Sequence, residues 1–192
     1  MPTFAENYRA ADLTFDDNGI YWVNPENDET YQVMMDWEQP IMDKMAELCV
    51  SEGDDVLEMG FGMGILSNEI QKRKPKSHTI VECHKDIIPK LKEWAKDKSN
   101  VNVVEGNWIE EIHNLPIKYD AIIQDTYGDE FRHSLKFAVE LLKKNNCKVT
   151  YWNNDSDLGF NEVEHHEVSV NPPDNKYYTK DIYKVPLVNY TS

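Results

Sequence analysis

The chain has 192 residues, of which 40% are apolar and 11% aromatic, enough to bury one core in one domain spanning 1–192. No stretch is apolar for long enough to cross a bilayer. The opening Met1-Pro2-Thr3-Phe4-Ala5-Glu6-Asn7 lacks the basic and apolar blocks of a signal peptide, so a cytoplasmic, membrane-free protein is expected. A formal charge of −15 repels phosphate backbones, which argues against nucleic acid as a partner and suits cationic ligands.

The cysteines Cys49, Cys83 and Cys147 are far apart and form no Cys-x-x-Cys pair. They read as buried thiols of a reducing compartment.

Residues 1–30 are polar with scattered aromatics and read as an irregular N-terminal arm. Met34, Trp37, Ile41, Met45 and Leu48 then recur at the helical period, making 31–50 a helical entrance. Pro40 opens its helix at 40–50, after a bend at Trp37-Glu38-Gln39.

From residue 55 strands and helices alternate. Strands are predicted at 55–59, 78–82, 101–104, 119–124 and 147–152, with helices at 65–73, 86–95 and 131–143. Such alternation makes 55–152 a parallel sheet covered by helices on both faces. The end differs. Residues 163–170 and 177–188 read as two strands joined by a turn at 171–175, an antiparallel hairpin over 162–188 at the sheet edge. Only about ten polar residues separate strand five from this hairpin, fewer than a parallel crossover with a helix needs. One covering helix is therefore missing. A second subunit over the bare face would make a homodimer.

The strongest motif is Val56-Leu57-Glu58-Met59-Gly60-Phe61-Gly62-Met63-Gly64. A strand runs into a loop with glycine at every second position, then into a helix. Glycine lets backbone approach a ligand that a Cβ would block, and such loops lie at the carboxyl ends of parallel strands, where ligands bind. The dinucleotide spacing G-x-G-x-x-G fails, because Ile65 stands at its third glycine position. Glu82 ends strand two, where an acid can accept the ribose hydroxyls of an adenosine. Gly106 and Trp108 follow strand three, and the indole can pack on a base or in the core. Asp125-Thr126-Tyr127 ends strand four. An acid on a strand end is held rigidly and can grip a cationic amine and take its proton. Glu38, at the bend before the first helix, offers a second carboxylate, and two carboxylates suit a planar guanidinium with five donors. Glu162, Glu164, His165, His166 and Glu167 lie on a predicted strand and alternate between its faces, so no metal is expected there.

The acid and G-x-G-x-G of residues 58–64 resemble the first motif of class I S-adenosylmethionine-dependent methyltransferases. Val33-Met34-Met35-Asp36-Trp37-Glu38-Gln39-Pro40-Ile41-Met42, Gln124-Asp125-Thr126-Tyr127 and Pro172-Pro173…Tyr177-Tyr178 narrow the resemblance to guanidinoacetate N-methyltransferase and the arginine δ-N-methyltransferases. It covers about residue 31 to the C-terminus. It implies an α/β, Rossmann-like class I fold with S-adenosyl-L-methionine as cofactor. Gly60, Gly62 and Gly64 would surround its methionine part, with Glu58 before them and Met42 close by. Glu82 would bind the ribose, and Gly106 and Trp108 would border the adenine. Glu38 and Asp125 would grip the guanidinium, with Asp125 taking the proton, while Thr126 and Tyr127 close the acceptor pocket.

Met34-Met35 and Asp125–Gly128 lean toward the arginine branch, and Tyr177-Tyr178 toward the guanidinoacetate branch. These enzymes carry a helix after strand five, which this chain lacks. The expected acceptor is guanidinoacetate or a similar small guanidine; the alternatives are an arginine, free or in a protein, and an inactive module that binds the cofactor or its product.

Overall fold

A computed structural model describes residues 2–115, 117–128, 132–175 and 177–190. The N-terminal thirty residues are not an irregular arm. They form helix α1 (Phe4–Ala10) and a three-stranded antiparallel sheet of β1 (Thr14–Phe15), β2 (Gly19–Asn24) and β3 (Glu29–Met35). Thr3 and Glu6 close a reciprocal capping box on α1. Ile20 and Trp22 alternate inward along β2 and are fully buried, which gives this small sheet its apolar face.

Met34 and Met35 therefore end a strand, not a helix. The backbone turns at a 3-10 segment, Asp36–Glu38, and α2 (Gln39–Cys49) begins with Pro40 in its first turn. Ile41, Met42, Met45, Ala46 and Cys49 form its buried stripe.

The main sheet has seven strands: β4 (Asp55–Met59), β5 (Ser77–Glu82), β6 (Val101–Glu105), β7 (Tyr119–Gln124), β8 (Lys143–Tyr151), β9 (Val163–Ser169) and β10 (Ile182–Asn189). Their order is β6-β5-β4-β7-β8-β10-β9. The first five are parallel, and β10 runs antiparallel to both β8 and β9. The parallel part is the sheet that the alternation implies, the Rossmann-like class is the one the resemblance implies, and the C-terminal hairpin lies at the edge as expected. Helices α3 (Ile65–Lys72), α4 (Ile88–Ala95), α5 (Trp108–Glu111) and α6 (Leu135–Leu142) complete the chain order. The predicted helix start at Phe131 lies outside the described residues; a 3-10 turn, Arg132–Ser134, leads into α6.

Alternate residues feed two cores. Val56, Ile80, Ala121 and Ile123 face α2, α3 and α4. Leu57, Met59, Val81 and Ile122 face α5 and α6. The covering helix after strand five is absent, as its length required. The face is not bare, however. Leu158 and Phe160 of the irregular connection pack there, with Phe160 stacked on Tyr151 at 5.7 Å.

Two boundaries move. Strand five starts at Lys143, because α6 runs straight into it and Lys144 ties Asp55 and Asp120 at 2.6 and 2.7 Å. The last strand starts at Ile182, which leaves Tyr177 and Tyr178 in the loop between β9 and β10. Cys49 and Cys147 are buried, as expected, but Cys83 is exposed. Among the described residues no helix is long and apolar enough to cross a membrane.

Candidate active site

The rim of the parallel strands is stitched by backbone. The N–H groups of Gly60, Gly106, Asp125 and Trp152 each donate at 2.9 Å to a carbonyl of the neighbouring strand, on Val81, Glu82, Met59 and Gln124. Sheet pairing thus continues to the residues that carry the site, and these four are held as rigidly as the strands. Above them lies a cavity of about 570 Å³, roofed by α1 and β3, within the size range of small-molecule sites.

Its floor is the loop from β4 to α3. Gly60, Gly62 and Gly64 all have positive φ, at 93°, 53° and 76°, the region that glycine enters without strain. Gly60 and Gly62 line the cavity. A Cβ on Gly62 would meet the Met34 sulfur at 2.5 Å, and that sulfur accepts the Met63 N–H at 3.2 Å. Gly64 does not line the cavity. It precedes the first residue of α3 and lies under the Phe61 ring.

Glu82 is a buried carboxylate at the cavity wall. Its Oε2 accepts the Phe61 N–H at 2.9 Å, and its Oε1 accepts the N–H groups of Cys83 and His84, both at 2.8 Å. It therefore ties the glycine loop to the end of β5. Gly106 and Trp108 line the same end of the cavity; Asn107 caps α5 through its side chain and sets the indole in place.

Glu38 and Asp125 line the same cavity. Glu38 is buried. Its Oε1 accepts the Met35 N–H at 2.8 Å and the Tyr177 hydroxyl at 2.5 Å. Burial, then the charge of Asp125, pushes its carboxyl up to about 8. Burial and the nearby Glu58 charge push Asp125 up to about 7, against the pull of Arg132. No described residue donates a hydrogen bond to the Asp125 carboxylate. Two acids poised near neutrality in one cavity are a feature of functional sites.

Aromatic rings close the roof. Tyr8 packs on Tyr127 and on His84, both at 4.9 Å, and Phe4 packs edge-on to Trp22 at 5.2 Å. The Trp22 indole donates to the Tyr127 hydroxyl at 3.3 Å. His84 holds the Tyr8 carbonyl at 3.1 Å. The N-terminal helix is thus latched beside the end of β5.

Among the residues that the sequence singles out, Glu38, Gly60, Gly62, Glu82, Gly106, Trp108, Asp125, Thr126 and Tyr127 meet at this one cavity. Met42, Glu58 and Gly64 do not. Met42 is fully buried in the stripe of α2. Glu58 faces the helix side of the sheet, where Ser67 and His78 take both its oxygens. Sequence reasoning missed Tyr8, Arg132, Trp152 and Tyr177 in the wall. Only Tyr177 had a signal, in the Pro-Pro…Tyr-Tyr stretch. Arg132 is the one lysine or arginine among the described lining residues, and its Nη2 donates to the Trp152 carbonyl at 2.5 Å.

Residues 29–160 match the family described as guanidinoacetate N-methyltransferase. A protein arginine N-methyltransferase 2 from Yarrowia lipolytica is 34% identical over 141 residues, covering 68% of this chain and 29% of that protein. The protein of the same name from Kluyveromyces lactis is 38% identical over 149 residues, covering 71% of this chain and 35% of that one. The chain thus spans about a third of the length of these relatives. Among solved structures, a spermidine synthase bound to a transition-state analogue superposes with a TM-score of 0.65 at 14% identity, covering 96% of this chain and 73% of that one. That likeness speaks for the fold alone.

Proposed function

The chain belongs to the guanidinoacetate N-methyltransferase family, and from that premise we propose that it transfers a methyl group from S-adenosylmethionine to a guanidino nitrogen of arginine. The observation that carries this reading is the pair of carboxylates, Glu38 and Asp125, in one cavity with a glycine floor and the buried acid Glu82. The arginine acceptor rests on the relatives, which are named for it.

The residues present fit the cofactor. Gly60 and Gly62 offer backbone without a Cβ. Glu82 stands at the end of the second parallel strand, the position that serves a ribose. When bound, S-adenosylmethionine supplies an electrophilic methyl group on a sulfonium. The chain's own contribution is alignment and charge. Glu38 and Asp125 would hold the planar guanidinium by charge-assisted hydrogen bonds. A guanidinium lone pair is delocalised and weakly nucleophilic. Loss of a proton to Asp125 as the new N–C bond forms would localise it. Tyr8, Tyr127 and the N-terminal helix cover the cavity and exclude water.

A second reading, guanidinoacetate as acceptor, is favoured by Arg132, whose guanidinium suits the carboxylate of a small guanidino acid. One assay separates the two. The purified chain is incubated with methyl-labelled S-adenosylmethionine and, in turn, an arginine-containing peptide, free arginine and guanidinoacetate, with products identified by mass spectrometry. Label on a guanidine of the peptide or of arginine is the expected result. Label on guanidinoacetate alone selects the second reading. No label on any of them, with cofactor binding verified by calorimetry, would defeat both.

A further inference from the structure

Tyr177 belongs to the loop between β9 and β10, far from Glu38 in sequence. Its ring stands 5.9 Å from Trp37 and 6.1 Å from Trp152, and its edge faces the cavity. Its hydroxyl donates to Glu38 Oε1, the same oxygen that takes the Met35 N–H. The other oxygen, Oε2, accepts no hydrogen bond from a described residue. The buried Trp37 indole N–H lies beside the Tyr177 hydroxyl. The Asp125 carboxylate accepts no hydrogen bond from a described residue.

We propose that Tyr177 is a positioning residue that saturates one oxygen of Glu38 and thereby aims the other at the acceptor guanidinium. The proposal rests on the guanidine-methylating function above. Its physical basis is asymmetry of hydrogen bonding. A carboxylate that accepts two donors on one oxygen is stabilised as the anion and holds less affinity for a proton than its burial alone would give. One without donors has only its surroundings to set it. The Tyr177 hydroxyl is itself pushed far above its ordinary range by burial and by Glu38, so it stays protonated and remains a donor at every working pH. The other groups that face Glu38 are Asp125 from the end of β7 and Tyr183 from β10. The charge of Arg132 bears on Asp125. Neither Asp125 nor Tyr183 donates to Glu38, so Tyr177 is the side chain that offsets part of the upward push of burial on Glu38.

The test is Tyr177→Phe, which keeps the ring between Trp37 and Trp152 and removes only the hydroxyl. Glutamate labelled with 13C at the side-chain carboxyl is titrated by NMR without acceptor, and the Glu38 signal is identified by its loss in Glu38→Gln. The expected result is a rise of roughly one pH unit in the Glu38 midpoint, the size of a lost hydrogen bond to a charged group. A roughly tenfold rise in acceptor KM at neutral pH goes with it, the cofactor Kd being unchanged. 3-Fluorotyrosine at position 177, a stronger donor, should move the midpoint the other way, and it decides the matter if the phenylalanine variant fails to fold. A Glu38 midpoint that does not move overturns the proposal. So does a shifted midpoint with an unchanged acceptor KM. A wild-type protein that methylates no guanidine would defeat the function proposed above, and the two failures stay distinct because the titration uses no acceptor.

Discussion

A Cβ built on Gly60 would stand 2.1 Å from the carbonyl oxygen of Asp125. The glycine floor and the acid end of β7 are therefore in direct backbone contact. Gly60 also has φ of 93°, where an L-residue is strained. An alanine there has no flexible neighbour to push aside, since the obstacle is main chain. We expect Gly60→Ala to cost about 2–4 kcal/mol of stability and to weaken cofactor binding at least tenfold, read by thermal melts and calorimetry. Gly53 has a similar φ of 88° with nothing near its Cβ direction. Gly53→Ala should therefore cost only about 1–2 kcal/mol and leave cofactor affinity unchanged. Equal effects from the two would show that conformation, not contact, governs the loop.

The two cavity acids set a pH dependence. A guanidinium is cationic at all accessible pH, so it needs both carboxylates ionised. With Glu38 at about 8 and Asp125 at about 7 in the empty site, kcat/KM for the acceptor should climb steeply from pH 6 to 8 and level off above. The slope should exceed one decade per pH unit at the acid end, because two protons must leave. Under saturating acceptor the rise should move to lower pH, since the bound cation favours both anions. A flat profile between pH 6 and 8 would contradict the two-carboxylate site.

The same acids affect stability with the opposite sign. Their folded values lie above their ordinary ones of 4.5 and 3.8, so the empty native state binds more protons than the unfolded chain. Their contribution is complete below about pH 4 and is lost as pH rises through 7 and 8. Glu38→Gln or Asp125→Asn should therefore stabilise the ligand-free protein at pH 8.5, by on the order of 2–4 kcal/mol. The difference should vanish near pH 4. Urea melts at the two pH values test this; variants less stable than wild type at pH 8.5 would refute it.

The parallel core was legible because its signals are local. The apolar runs of β4 and β7 are each ended by a residue of the site, Gly60 and Asp125, so the run and its terminator are read together. Met34 misled because its spacing to Trp37 and Ile41 fits a helix, while the inward Ile20 and Trp22 that pair it into a sheet lie on another strand. Glu82 and Asp125 sit at the ends of parallel strands, whose order brings them to one rim, and Glu38 joins them from the 3-10 segment before α2. Tyr177 reaches Glu38 across 139 positions, through a hairpin loop, and no periodicity encodes that contact. Tyr8 arrives in the roof with α1, which His84 holds through the Tyr8 carbonyl. Glu58 shows the remaining ambiguity. Like Glu82 it is an acid near a strand end, but the pleat turns it beneath the loop, away from the cavity.

That placement makes Glu58 a separable test. Both its oxygens take the Ser67 hydroxyl, at 2.9 and 2.7 Å, and Oε2 meets His78 Nε2 at 2.7 Å. The Gln71 amide lies 3.0 Å from His78 Nδ1; if it donates there, the ring proton sits on Nε2 and points at Glu58. Glu58→Ala would leave two buried donors unpaired and a void beneath the loop. It should lose about 3–5 kcal/mol in urea melts. Glu58→Gln keeps the shape and removes the charge that raises Asp125. Its acid limb of kcat/KM should move to lower pH, while the cofactor Kd stays within a few-fold of wild type. A residue that bound the cofactor directly would behave in reverse, with affinity lost and the acid limb fixed. Calorimetry and the pH profile on this one variant therefore decide whether Glu58 is a ligand of the cofactor or a buried charge that works through Asp125.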